Sequence, residues 1–345
     1  MALNNQGFIL TVFSPLDYVD GSKAHAFISQ LPNGIKLIPL KRYGWRTYIN
    51  RIIVIFRELN KTKYERIIVT GMFPLWIGAL IKIIYRNHRH IDFFVHGSEI
   101  NLSNSFKQRL THWSLKKADI IWAVSGFTSS LLPESIKKNK RIEILPNGIH
   151  IKEWEIYKNE TKFNWQGYPN LLSVGSISPR KGQHRVIKAL PAIIKVFPEV
   201  QYHIVGLSNN SNKLNELITT LGVSEHVTIH GRLADNIELA KAYQTSDIFM
   251  MLSENQTNGE VEGFGIAILE ANYFGIPAIG ASGCGIEDAI KNEVTGELID
   301  ADNAIEITSA IKKILENKDM YKNNLNTWIQ NHNWDSIVEN FIIKK

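Results

Sequence analysis

At 345 residues the chain is long enough for two domains of ordinary size, and 44% apolar with 21% charged residues excludes a disordered or fibrous protein. One cysteine, Cys284, excludes an internal disulfide and fits a reducing compartment. The net charge of +6 is unevenly spread: residues 1–160 hold 23 Lys and Arg against 12 Asp and Glu (+11), and the remainder holds 16 against 21 (−5).

The opening stretch, MALNNQGFILTVFSP, lacks a basic leader and reads as no signal peptide. Residues 8–14 read as a buried strand, followed by a polar turn over 17–23 and a helix containing 24–30. Residues 36–40 form a weaker strand. Residues 41–66 are basic and aromatic, with Lys41, Arg42, Trp45, Arg46, Tyr48, Arg51 and Arg57, and the apolar run 52–56 fits a helix or a strand. The most apolar segment, 72–85, contains Pro74 and Lys82 and is shorter than the roughly 20 residues a spanning helix needs. A cytoplasmic chain is expected.

Strands are predicted at 66–70, 92–95, 119–124 and 142–145, with helices over 76–84 and 105–117 and a helix entry at Ser125. This alternation predicts a parallel α/β sheet. No Gly-x-Gly-x-x-Gly follows the first strand, which argues against a nicotinamide domain. Pro146-Asn147-Gly148 is a strong turn. After a polar, aperiodic stretch over 151–169, strands recur at 171–174, 201–205, 227–230, 247–251 and 277–279, with helices at 182–196, 211–221, 236–245 and 266–274. The pattern predicts two doubly wound domains facing across a cleft, with ligands at the carboxyl ends of the strands.

Two stretches carry chemistry. The turn Gly175-Ser176 to Arg180-Lys181-Gly182 leaves a strand and enters a helix, and its adjacent cations fit a diphosphate clamp. In Glu262-Gly263-Phe264-Gly265-Ile266 to Glu270, glycines keep the first carboxylate off the helix that carries the second. The free amides of Phe264, Gly265 and Ile266 at the helix start suit a phosphate. Both carboxylates are then expected to meet neutral partners, most naturally sugar hydroxyls. Together they suit a nucleotide sugar.

With Ala271, Gly275-Ile276-Pro277, Gly285-Ile286-Glu287 and Thr295-Gly296, this second stretch resembles the C-terminal signature of the large retaining GT-B glycosyltransferase family, whose paired glutamates mark the donor site. The resemblance is strong from about 171 to 296 and loose before 119. It implies an N-terminal acceptor-side domain over 1–148, a donor-binding domain over 149–325, and a closing helix over 326–345 that returns to the first domain. It also implies roles for His96 beside the donor sugar, for Gly21 and His25 on the acceptor side, and for Gly231 and Arg232 beside the base. One departure stands out: the family places an arginine directly after the glycine at 175, where this chain has Ser176. Arg180 is read as its replacement.

The implied cosubstrate is a UDP- or GDP-linked sugar, with no other cofactor. Asp300-Ala301-Asp302 has the Asp-x-Asp form of a metal site but precedes a helix, where Asp302 or Asn303 is an obvious N-cap. No metal is expected. The expected acceptor is a lipid-linked or surface glycan at an anionic membrane, to which the basic aromatic stretch 41–57 would bind peripherally. No nucleic-acid module accompanies the positive charge. Two alternatives keep the same fold: a sugar-nucleotide epimerase, and a non-catalytic nucleotide-binding partner of a polysaccharide assembly.

Overall fold

The computed structural model describes residues 1–15, 31–40, 46–86, 89–207 and 211–343. Gly21, His25, Lys41, Arg42, Trp45 and the helix expected over 24–30 lie outside them. Twelve strands are described: β1 (Leu10–Pro15), β2 (Ile35–Leu40), β3 (Arg66–Thr70), β4 (His90–Val95), β5 (Ile120–Ala123), β6 (Arg141–Ile144), β7 (Asn170–Val174), β8 (Gln201–Val205), β9 (Val227–Gly231), β10 (Ile248–Met251), β11 (Ala278–Ala281) and β12 (Gly296–Ile299).

The second half forms one six-stranded parallel sheet in the order β12-β11-β10-β7-β8-β9. The strand order reverses between the parallel neighbours β7 and β10, with β8 and β9 added on one side and β11 and β12 on the other, and a doubly wound sheet opens its ligand crevice at the carboxyl ends of such a pair. The strands β7, β10 and β11 are buried on both faces, as helix-covered parallel strands are, so they read as largely apolar runs without alternation. The first half holds a four-stranded parallel sheet, β3-β4-β5-β6. Among the described residues β1 and β2 pair only with each other, in the register Leu10↔Ile35 to Pro15↔Leu40. The single N-terminal sheet expected from the alternation is thus in two pieces. Val12 of β1 and Ile68 of β3 are both exposed.

The ambiguous run 52–56 lies in the helix Arg46–Lys61. Its Phe56 turns inward, stacks on Tyr85 at 6.1 Å and packs against the N-terminal core, so it is not on the basic aromatic face expected of it. Arg46, Tyr48, Ile49, Ile53 and Arg57 are exposed. No described helix is long and apolar enough to cross a membrane.

The chain returns to its first half at the end. The Ile149 and Trp334 amides bond across to the His332 and Ile149 carbonyls at 2.9 and 3.1 Å. The helix Trp334–Ile343 then lays Ile337 and Phe341 onto Ile120, Trp122 and Leu145 of the four-stranded sheet. Phe341 sits 4.8 Å from the fully buried Trp122 ring.

Candidate functional site

The site lies where the β7–β10 switch point meets the carboxyl end of β4. After β7 the chain turns at Gly175 (φ +138°) and runs to a short 3-10 turn, Pro179–Lys181. Gly182 follows at φ +75°, and a Cβ there would lie 1.8 Å from the Leu252 carbonyl oxygen just after β10. Only glycine allows both that conformation and that approach. The close packing fixes the two cations against the segment that leads into Glu262.

Arg180 and Lys181 converge on one atom. The Arg180 Nη1 donates to Glu262 Oε2, and the Lys181 Nζ lies 2.9 Å from the same oxygen. Glu262 is 8% exposed, so its charge is held by these two cations rather than by water. The neutral partner expected of Glu262 was a sugar hydroxyl; within the chain its partners are these two cations. Glu270 does meet a neutral partner: the Tyr243 hydroxyl donates to its Oε2 at 2.7 Å. Burial raises the Glu270 carboxyl above its ordinary range, against lesser lowering by the Tyr243 bond and the Lys181 charge. Tyr243 lies 27 positions away, and nothing in its local sequence marks it.

The helix Ile266–Tyr273 starts at Gly265, which adopts φ +85°. Its first amides have no intrahelical acceptors, as at any helix start. The segment before it is clamped from two sides. A Cβ on Gly263 would lie 2.0 Å from the His96 carbonyl oxygen, and one on Gly285 would lie 2.2 Å from the Glu262 carbonyl oxygen. Of the loop 283–285, then, Gly285 makes a close approach, whereas Gly283 supplies a turn at φ +82° with open space beside it. Cys284 between them is buried, and burial pushes its thiol up to about 11.

His96 stands just beyond β4, with its Nε2 2.8 Å from the Thr70 hydroxyl at the end of β3. The buried Glu99 accepts from the His96 amide at 2.7 Å, which makes it a clasp for the strand end. The Ser98 hydroxyl lies 3.3 Å from the Val261 carbonyl. Asp288 accepts from the Gly126 amide at 2.9 Å. Both halves of the chain therefore touch through the loops that carry His96 and Glu262.

Beside this cluster a cavity of about 390 Å³ opens at the carboxyl ends of β7, β8 and β9. Gly175, Ser176, Gly206 and Arg232 line it, with Asp235 and Asn236 at the start of the helix Asn236–Thr245. Gly231 donates no wall but turns the chain at φ +70°, and its carbonyl accepts from the Gly206 amide at 2.7 Å. Asp235 and Asn236 were not singled out from sequence. Their signal is the N-cap Asp235 with Glu238 three residues on: Asp235 accepts from the Glu238 amide, and Glu238 accepts from the amide of Ala234, just before the cap.

Asn303 caps the helix Ala304–Glu316, while Asp302 pairs with Arg185 at 3.0 Å and Asp300 accepts from the Asp302 amide. Among the described residues no group of three His, Cys, Asp or Glu is placed to hold a metal ion.

Residues 156–332 match the family model described as glycosyl transferases group 1, and residues 1–153 match that described as glycosyltransferase family 4. The GDP-mannose-dependent alpha-(1-6)-phosphatidylinositol monomannoside mannosyltransferase of Mycobacterium tuberculosis (strain ATCC 25618 / H37Rv) is 27% identical over 210 residues, 58% of this chain and 54% of that protein. The N-acetyl-alpha-D-glucosaminyl L-malate synthase of Bacillus anthracis is 26% identical over 252 residues, 72% of this chain and 62% of that one. The chain thus spans little more than half the length of these curated relatives. Among solved structures, sucrose-phosphate synthase from Thermosynechococcus elongatus superposes with a TM-score of 0.76 at 19% identity, over 99% of this chain and 89% of that one. HepE of Anabaena, solved in complex with UDP, gives 0.74 at 18% identity over 97% and 91%. These likenesses show the fold, two α/β domains in the GT-B arrangement.

Proposed function

The chain belongs to the glycosyl transferases group 1 family, and from that premise we propose that it is a retaining, metal-independent glycosyltransferase. It moves a sugar from a UDP- or GDP-linked donor to a lipid-linked or cell-surface glycan acceptor. The observation that carries this reading is the convergence of Arg180 and Lys181 on Glu262 at the switch point, with the His96 loop against Gly263.

Breaking the bond between the anomeric carbon and the diphosphate puts negative charge on the leaving oxygen. Catalysis needs fixed positive charge aimed there before the bond breaks. Lys181 and Arg180 supply it, with Arg180 standing in for the arginine that Ser176 replaces, and the amides of Phe264, Gly265 and Ile266 add a helix dipole. A diphosphate carries more charge than one carboxylate, so the donor draws both cations from Glu262. The released carboxylate then faces the sugar and the positive charge developing at its anomeric carbon. Glu270 holds donor hydroxyls, His96 approaches the sugar from the other domain, and the cavity between Ser176 and Asp235 takes the base.

The mannosyltransferase named above acts on a phosphatidylinositol mannoside, which supports a lipid-linked acceptor. Peripheral binding at the cytoplasmic face of an anionic membrane is supported by the exposed Tyr48, Ile49 and Ile53 between Arg46 and Arg57. The test is proton NMR of the transferred sugar. The reading requires a product with the donor's anomeric configuration, formed at full rate in excess EDTA. An inverted product refutes the retaining course, and loss of rate in EDTA refutes metal independence.

A further inference from the structure

A second concave site lies far from the cleft. The helices Arg46–Lys61 and Met72–Ile84 both end at the amino edge of the four-stranded sheet, opposite the carboxyl edge that carries Thr70 and His96. Between those helix ends is a cavity of about 710 Å³. That is the size of an ordinary small-molecule site.

Its lining is basic. Lys61, Lys63, Arg86 and Arg89 all contribute, and none of the lining residues is acidic. A helix C-terminus attracts a cation, which accounts for one basic residue at each helix end. It does not account for four around one hollow, where like charges repel.

Two of the four are held in ways that cost the fold. Arg89 donates from Nη2 to the Leu59 carbonyl at 3.1 Å, and its guanidinium lies 5.1 Å from the centre of the Tyr85 ring. Its Nη1 is buried with no hydrogen-bond partner among the described residues. Burying a charged donor without a partner is unfavourable, and an anion in the hollow would satisfy it. Arg86 adopts φ +50°, the left-handed conformation that favours glycine at the end of a helix. A bulky residue kept there at a cost of order 1 kcal/mol points to use of its side chain.

We propose that this hollow is a phosphate-binding site, separate from the donor cleft, for a ligand with a phosphomonoester or diphosphate group. Arg89 forms the floor with its free Nη1. Arg86, Lys61 and Lys63 close over the anion from the rim, and Tyr85 with the exposed Ile84 receives an apolar or ring-bearing remainder. The phosphate can belong to a soluble metabolite or to a lipid headgroup. The site is independent of the donor reading, because it shares no residue with the cleft.

The test uses the full chain with the donor cleft disabled by Arg180→Gln, Lys181→Gln and Glu262→Gln, which removes the buried carboxylate together with its two cations. Pyrophosphate is titrated by calorimetry, and sedimentation is followed with phosphatidylcholine vesicles with and without phosphatidic acid. The second variant adds Arg86→Gly, which keeps the backbone in its preferred left-handed form, and Lys63→Gln at an exposed position. Its melting temperature without ligand should match or exceed that of its parent. Pyrophosphate should bind the parent and lose at least about tenfold in affinity in the second variant, as expected for lost charge-assisted contacts. Sedimentation that depends on phosphatidic acid and on the same two residues assigns the headgroup as the source, and pyrophosphate binding alone assigns a free phosphate. Absence of both, or binding that survives the Arg86 and Lys63 replacements, overturns the proposal.

Discussion

Glu270 has one hydroxyl partner and little water, so its charge is expensive in the folded state. The folded protein holds a proton there more tightly than the unfolded chain does. Ionisation of Glu270 therefore costs no stability below the ordinary carboxylate value and its full penalty above the raised one. Glu270→Gln keeps an acceptor for Tyr243 and removes the charge. It should raise the melting temperature by about a few degrees at neutral pH, with the gain shrinking as the pH falls into the ordinary carboxylate range. Donor affinity should drop by at least about tenfold, since a charged acceptor for the sugar is lost. Paired thermal melts and donor titrations check this; equal melting temperatures at all pH values would refute the buried-charge argument. The two cations separate by a different experiment. Lys181→Ala and Arg180→Ala should each weaken binding of free UDP or GDP by about tenfold or more in calorimetry, because each loses a charge-assisted contact to phosphate. Unchanged affinity in Arg180→Ala would mean that Arg180 serves only to hold Glu262.

Strands β8 and β9 carry a stacked cluster that the cleft does not use. Trp165 lies 3.7 Å from the His203 ring, and His203 Nδ1 is 3.0 Å from His230 Nε2. The other His203 nitrogen lies 3.1 Å from Asn170 Oδ1. Burial, and then the neighbouring His230, pushes His203 down to about 4. An unfolded chain takes up that proton near 6.5, so stability that is complete above 6.5 is lost as the pH falls toward about 4. His203→Gln keeps a donor for Asn170 and should flatten the acid limb of the stability curve over that window. Urea midpoints at pH 7, 5.5 and 4.5 give the comparison. An equally steep fall in the variant would place the acid sensitivity elsewhere. The cluster was invisible in the sequence because its members are 27 to 65 positions apart and belong to a linker and two strands.

At the scale of the molecule, the strand–helix alternation was legible, and with it the fold and the loop–helix of Glu262 and Glu270. Hydrophobic runs and glycine turns are local signals. What escaped was either short or dependent on distant partners. Gly296–Ile299 is a four-residue strand after a turn, and the asparagine-rich Lys318–Asn331 has the composition of a loop although it forms a helix. The pairing of Arg180 with Glu262 spans 82 positions, and no local signal marks that β1 and β2 pair only with each other among the described residues. The basic first half also predicts behaviour of the whole protein. It should co-sediment with anionic but not neutral vesicles at low salt and release as salt screens the attraction. Arg46→Glu with Arg57→Glu should abolish most of that binding without altering nucleotide affinity, and unchanged sedimentation would rule this face out.

The central claim is sugar transfer driven by the Arg180–Lys181–Glu262 cluster. It is tested most directly by mass spectrometry of the protein incubated with a panel of UDP- and GDP-linked sugars, with and without membrane extract. One donor should be consumed only when extract is present, giving a new product heavier than its acceptor by one sugar, and turnover should fall at least about tenfold in Glu262→Ala and Lys181→Ala assayed at a temperature where each variant is folded. Free sugar or an altered nucleotide sugar formed without extract, or wild-type turnover in either variant, would contradict it.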